Sequence, residues 1–115
     1  MRNIEFYETE AGESPVQDFL CNLPVKVQAK ALWTIELVKE LKVVPINYLK
    51  KLVNTDDIWE IRISSNTNIY RILCFWDGNT LLVLNHAFQK KTQKTAKQAI
   101  KIAEKRKADY LRRKA

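Results

Sequence analysis

Hydrophobic and polar positions alternate most clearly from Trp59 to Ser64. Trp59, Ile61 and Ile63 fall on one face and Glu60, Arg62 and Ser64 on the other, the two-residue period of a half-buried strand. Ser65-Asn66-Thr67 supplies turn chemistry, and Asn68 to Trp76 resumes with β-branched and aromatic residues. Asp77-Gly78-Asn79 is a second hairpin signal. The strand predicted over Thr80 to Phe88 is apolar on both faces, which places it centrally in a sheet, and it runs into Lys90-Lys91. Upstream, Asn3 to Tyr7 alternates as a short first strand. Ser14-Pro15-Val16-Gln17 reads as a helix start, with Ser14 as N-cap and Gln17 reaching back, for a short helix ending near Asn22. Pro24 opens a longer helix whose Val27, Ala31, Ile35 and Val38 recur at helical spacing, with Leu32, Trp33, Leu37 and Leu41 widening the stripe. Pro45 ends that region, and Tyr48 to Val53 is a connector or a short strand. Thr95-Ala96-Lys97-Gln98 is a further capping box. It opens a helix with a thin apolar stripe of Ala99, Ala103, Tyr110 and Leu111, Ile100 beside it, and lysine and arginine over the rest; so thin a stripe predicts weak docking.

These elements predict an α+β fold: a small, mainly antiparallel sheet in the order β-α-α-β-β-β-α, two helices on one face, and a basic C-terminal helix. A length of 115 residues suits a single domain over 1–115. Charge sharpens the picture. Residues 1 to 88 hold nine Lys/Arg against eleven Asp/Glu, whereas residues 89 to 115 hold eleven against two. Positive charge concentrated in this way points to a polyanionic partner, most often nucleic acid. Cys21 and Cys74 are far apart and read as small buried apolar residues of a reducing compartment. Residues 1 to 10 do not read as a signal peptide and no apolar run reaches the length of a membrane span, so a cytoplasmic protein with no membrane partner is expected.

Several chemistries fall away. One histidine and two distant cysteines do not make a zinc or iron site, and two glycines cannot form a phosphate-cradling loop, so no metal and no cofactor is expected. A nucleophilic triad would have to use His86, and no serine elbow accompanies it. What remains is a basic cluster on a sheet. Arg62 lies on the polar face of its strand, Arg71 interrupts an apolar strand, and Lys90 shares a strand face with His86 and Phe88. Two readings of Arg71 compete: a buried ion pair with Glu60, or, with Arg62, a phosphate-holding site. Whether the two arginines share a face depends on the turn register. A proton acceptor near neutral pKa is scarce, Glu60 and His86 being the best matched.

Trp59-Glu60-Ile61-Arg62, then Tyr70-Arg71-Ile72, then His86-Ala87-Phe88-Gln89-Lys90-Lys91-Thr92 closely resemble the HigB branch of the RelE/ParE toxin superfamily. The order of elements fits as well. The resemblance implies the toxin of a type II toxin–antitoxin system, a ribosome-dependent endoribonuclease cutting messenger RNA by metal-free attack of the 2′-OH. Basic residues at positions matching Arg62, Arg71 and Lys90 or Lys91 would act on the scissile phosphate, with Glu60 and His86 as candidates for proton transfer. Lys91, Lys94, Lys97, Lys101 and Lys105 would contact RNA. The implied partners are a cognate antitoxin, a helix-turn-helix protein like HigA through which the complex could bind operator DNA, and the ribosome with its message. Glu60 departs from RelE, which has a lysine there, and Ala96 stands where family members often carry proline. A ParE-like inhibitor of DNA gyrase and a basic nucleic-acid-binding module without activity are the competing expectations.

Overall fold

A five-stranded sheet in the order β1-β5-β4-β3-β2 divides the molecule into two layers. The computed structural model describes residues 1–91 and 97–115. The elements are β1 (Asn3–Phe6), α1 (Pro15–Cys21), α2 (Val25–Glu40), β2 (Leu49–Lys51), β3 (Trp59–Ser65), β4 (Asn68–Asp77), β5 (Leu81–Lys90) and α3 (Lys97–Lys114). The expected α+β architecture is therefore observed. The connector after Pro45 supplies a fifth, three-residue strand, and β1 joins β5 in parallel while every other pairing is antiparallel.

α1 and α2 cover one face. Val16, Leu20, Val27, Ala31, Ile35 and Val38 pack on Ile61, Ile63, Ile72 and Leu84, forming the larger core. The smaller core lies on the other face, where Ala99 and Ala103 of α3 meet Tyr7, Ile58, Leu73, Phe75 and Val83. Burying a side chain such as Phe75 contributes about 1.5–3 kcal/mol, so both layers hold the sheet.

β5 changes phase partway along. Leu82 and Leu84 face α1 and α2, yet Ala87 faces them too. The register explains this: Cys74 pairs with Leu84 and Leu73 with His86, which leaves Asn85 without an opposite number. An extra residue of this kind is a β-bulge, and it turns two successive side chains to one side. Asn85 and His86 both engage α3: Asn85 Nδ2 donates to the Ala103 carbonyl at 2.7 Å, and His86 Nδ1 lies 3.3 Å from Arg106 Nη1.

Four expectations are corrected. Ser14 precedes α1 but makes no side-chain cap bond, and its buried Oγ has no hydrogen-bond partner among the described residues; the Ser14 carbonyl instead accepts from the Asp18 N–H at 2.9 Å. The stripe of α2 is narrower than its apolar residues suggested: Leu32, Trp33 and Leu41 are exposed, and Thr34 takes a buried place by donating to the Lys30 carbonyl. Cys74 is buried, but Cys21 is exposed. Finally, α3 is not weakly held. Its apolar stripe is thin and Leu111 is exposed, but polar clasps run along its length. Glu104 accepts from the Asp56 N–H, Lys107 donates to the Asp56 carbonyl, Tyr110 donates to Asp77, and Tyr7 donates to Asp109. The capping box predicted at the start of α3 depends on Thr95 and Ala96, which lie outside the described residues. No helix is long and apolar enough to cross a membrane among the described residues.

Candidate functional site

The turn between β3 and β4 decides whether the hairpin arginines meet. Asn66, at φ 55°, gives that turn its left-handed step, and the resulting register sets Arg62 directly opposite Arg71. On the next strand Phe88 lies opposite Arg71, Lys90 opposite Ile69, and His86 opposite Leu73. Side chains in register share a face of the sheet. Glu60, Arg62, Arg71, His86 and Lys90 thus stand on one face, the face that carries α3. β2 adds a residue that the sequence pattern did not single out: Lys50 pairs with Glu60 and so joins them.

Glu60 is the hub. It is 2% exposed, and its Oε1 lies 3.3 Å from Arg71 Nε and 3.4 Å from Arg62 Nε. At these two atoms the contacts are ion pairs, since neither Nε is aligned on a hydrogen-bond partner among the described residues. A carboxylate this deep between two guanidiniums compensates much of the cost of burying them. Exposure then grades outward: Arg71 is buried, Arg62 and Lys90 are half-buried, and Lys50 and Lys91 are exposed.

The electrostatics follow from that crowding. Burial pulls the Arg71 pKa down, and Glu60 offsets it. Lys90 is held below the ordinary lysine value by burial first, then by the charges of Arg71, Arg62 and Lys50, against the pull of Glu60. Such a cluster of cations around one carboxylate favours an arriving anion.

His86 stacks on Phe88, with ring centroids 5.6 Å apart. Its pKa is pushed down to about 4, by burial first and by Arg106 second. The ring is therefore neutral in the folded protein at pH 7. The unfolded chain takes up a proton near pH 6.5, whereas the folded one does so only near 4. Between these values the unfolded state binds more protons, so stability falls as pH drops from about 6.5 towards 4. His86→Asn is expected to flatten this slope, which denaturant titrations at pH 7 and 5 would measure. An unchanged slope would assign the pH dependence to other groups.

The predicted RNA-contacting lysines divide. Lys97, Lys101 and Lys105 recur every four residues along α3 and are exposed, as is Lys91 at the end of β5. Lys94 lies outside the described residues. The other cations of α3 are engaged within the protein: Arg106 donates to the Asn85 carbonyl, Lys107 to that of Asp56, and the exposed Arg112, Arg113 and Lys114 form ion pairs, the first two with Asp109 and the last with Asp77. The described residues also frame a cavity of about 670 Å³ beside Tyr7 and α3, which includes Arg106 but none of the sheet cations.

Two comparisons bear on identity. The family described as Phage derived protein Gp49-like (DUF891) matches residues 18–108, which span α2, all the sheet cations and most of α3. No curated protein matches the sequence.

Proposed function

The chain belongs to the Gp49-like family of phage-derived proteins, a toxin-like family related to the RelE/HigB type, and on that footing we propose that it is the toxin of a type II toxin–antitoxin system and cuts messenger RNA on the ribosome. The observation that carries this reading is the meeting of Arg62, Arg71 and Lys90 on one face of the sheet, with Lys50 beside them and Glu60 between the arginines. Guanidiniums present paired donors that match phosphate oxygens, and they stabilise the charge that grows on a phosphorane.

In this mechanism the RNA 2′-oxygen bonds to the adjacent phosphorus as the bond to the 5′-oxygen breaks. The 2′ proton leaves to a base and the 5′-oxygen takes one up, giving a 2′,3′-cyclic phosphate and a free 5′-OH. Arg62 and Arg71 hold the phosphate. Glu60, buried between them, fixes their geometry. Lys90, with its lowered pKa, is the side chain of the cluster best suited to hand a proton to the leaving oxygen. No metal or cofactor is required. The partners of this reading are a cognate antitoxin, a helix-turn-helix protein that also recruits operator DNA, and the translating ribosome, which aligns the message.

Expression without an antitoxin is expected to arrest growth through translation. Pulse labelling checks this: methionine incorporation should fall early. An early fall confined to thymidine incorporation would replace the reading with gyrase inhibition.

The exposed lysines of α3 serve ribosome contact. Replacing Lys97, Lys101 and Lys105 by glutamate is expected to weaken association and flatten its dependence on salt, because phosphate contacts release counterions. Co-sedimentation across a salt series measures both. Association like that of the wild type at every salt concentration would make this a solvated face and nothing more.

A further inference from the structure

Arg106 lies midway along α3 and reaches back to β5. Its Nη1 donates to the Asn85 carbonyl at 2.8 Å and lies 3.3 Å from His86 Nδ1. The bulge makes this possible, because it turns Asn85 and His86 together towards the helix. A guanidinium has only donors, so Nδ1 has to accept; a neutral imidazole has one proton, which must then sit on Nε2. Of the other charged groups on this face, Lys50 and Glu60 lie in the row of His86, with Arg62 of β3, Arg71 of β4 and Lys90 of β5 to one side and Asp77 of β4 and Glu5 of β1 to the other. From α3 it is Arg106 that meets the ring.

We propose that Arg106 is a positioning residue that holds His86 as its Nε2–H tautomer, so that the ring donates a hydrogen bond to an anionic oxygen of bound RNA and does not accept a proton from it. The part that concerns RNA rests on the function proposed above; the tautomer does not. On this arrangement His86 is a neutral donor beside the phosphate-holding arginines, and proton transfer belongs to other groups. It also ties the seating of α3 to the state of a side chain on the sheet.

The chain has a single histidine, so protein labelled with ¹⁵N-histidine reports one ring. At pH 7 the expected spectrum has a protonated Nε2 and an unprotonated Nδ1. A wild-type ring protonated on Nδ1, or an even mixture, overturns the proposal without recourse to any variant. Arg106→Met should give mixed tautomers and a ring that titrates closer to the ordinary histidine value, whereas Arg106→Lys, which keeps a donor, should retain Nε2–H. Cleavage of a message in a translation reaction is read alongside. Arg106→Met should cut about tenfold more slowly, and Arg106→Lys should recover most of the rate. Unaltered cleavage by Arg106→Met, with its tautomers mixed, overturns the role in the reaction. A wild-type ring with Nε2–H in a protein that cuts no message leaves the positioning intact and removes the RNA reading instead.

Discussion

Arg71→Ala is expected to abolish message cleavage and to lower the unfolding free energy by about 3 kcal/mol. Both effects have one origin. Arg71 is 6% exposed and lies 3.3 Å from the buried Glu60, so its removal strips a buried carboxylate of a cation. Arg62 remains at 3.4 Å, which keeps the cost near the lower end of the range for a broken buried pair. Arg71→Lys separates stability from chemistry. It restores the charge but not the planar fork, so it should recover much of the melting temperature while cleavage stays about a hundredfold down. Thermal melts and mapping of cut sites by primer extension measure the two independently. If Arg71→Lys cuts as fast as the wild type, the forked grip on phosphate is wrong.

Glu60→Ala should do still more damage to the fold. It leaves Lys50, Arg62, Arg71 and Lys90 facing one another without the carboxylate at their centre. The expected loss is about 3–5 kcal/mol, which for a domain of this size corresponds to a fall of roughly 12–20 °C in Tm. Part of that loss is repulsion between cations, which salt screens. Tm of the variant should therefore rise more steeply with added salt than that of the wild type, and more in phosphate than in chloride. A variant as stable as the wild type in low salt would mean that Glu60 does not hold the cluster together.

The sheet was legible because its strands alternate. Trp59 to Ser64 shows its two faces without ambiguity, and the polar face is the one that bears Glu60 and Arg62. The members of the candidate cluster could be picked out one by one, but their meeting on one face could not. Whether Arg62 meets Arg71 is fixed by a turn register, and a slip of one residue would have sent Arg71 to the opposite face. The bulge left no trace, because β5 is apolar on both sides and carries no glycine at Asn85. Lys50 went unread because Tyr48 to Val53 has no clear alternation, and only pairing with β3 reveals its face. On α2, apolar identity overstated burial: Leu32 and Trp33 face outward. The firm seating of α3 comes from contacts distant in sequence, such as Tyr110 with Asp77 and Tyr7 with Asp109. Helical periodicity cannot report these.

The parallel pairing of β1 with β5 has a temporal consequence. Asn3 lies beside Leu81 in the finished sheet, so β1 has no sheet neighbour until β5 has been synthesised. The same strand supplies His86 and Lys90, and Arg106 follows later still. A nascent chain that has reached only β4 already contains both arginines and their carboxylate, but on an unfinished scaffold. Long-range closure of this kind is slow compared with helix formation, and domains fold as units once their parts are available. The cations of the sheet are thus assembled together only after β5 and α3 have emerged from the ribosome that translates them.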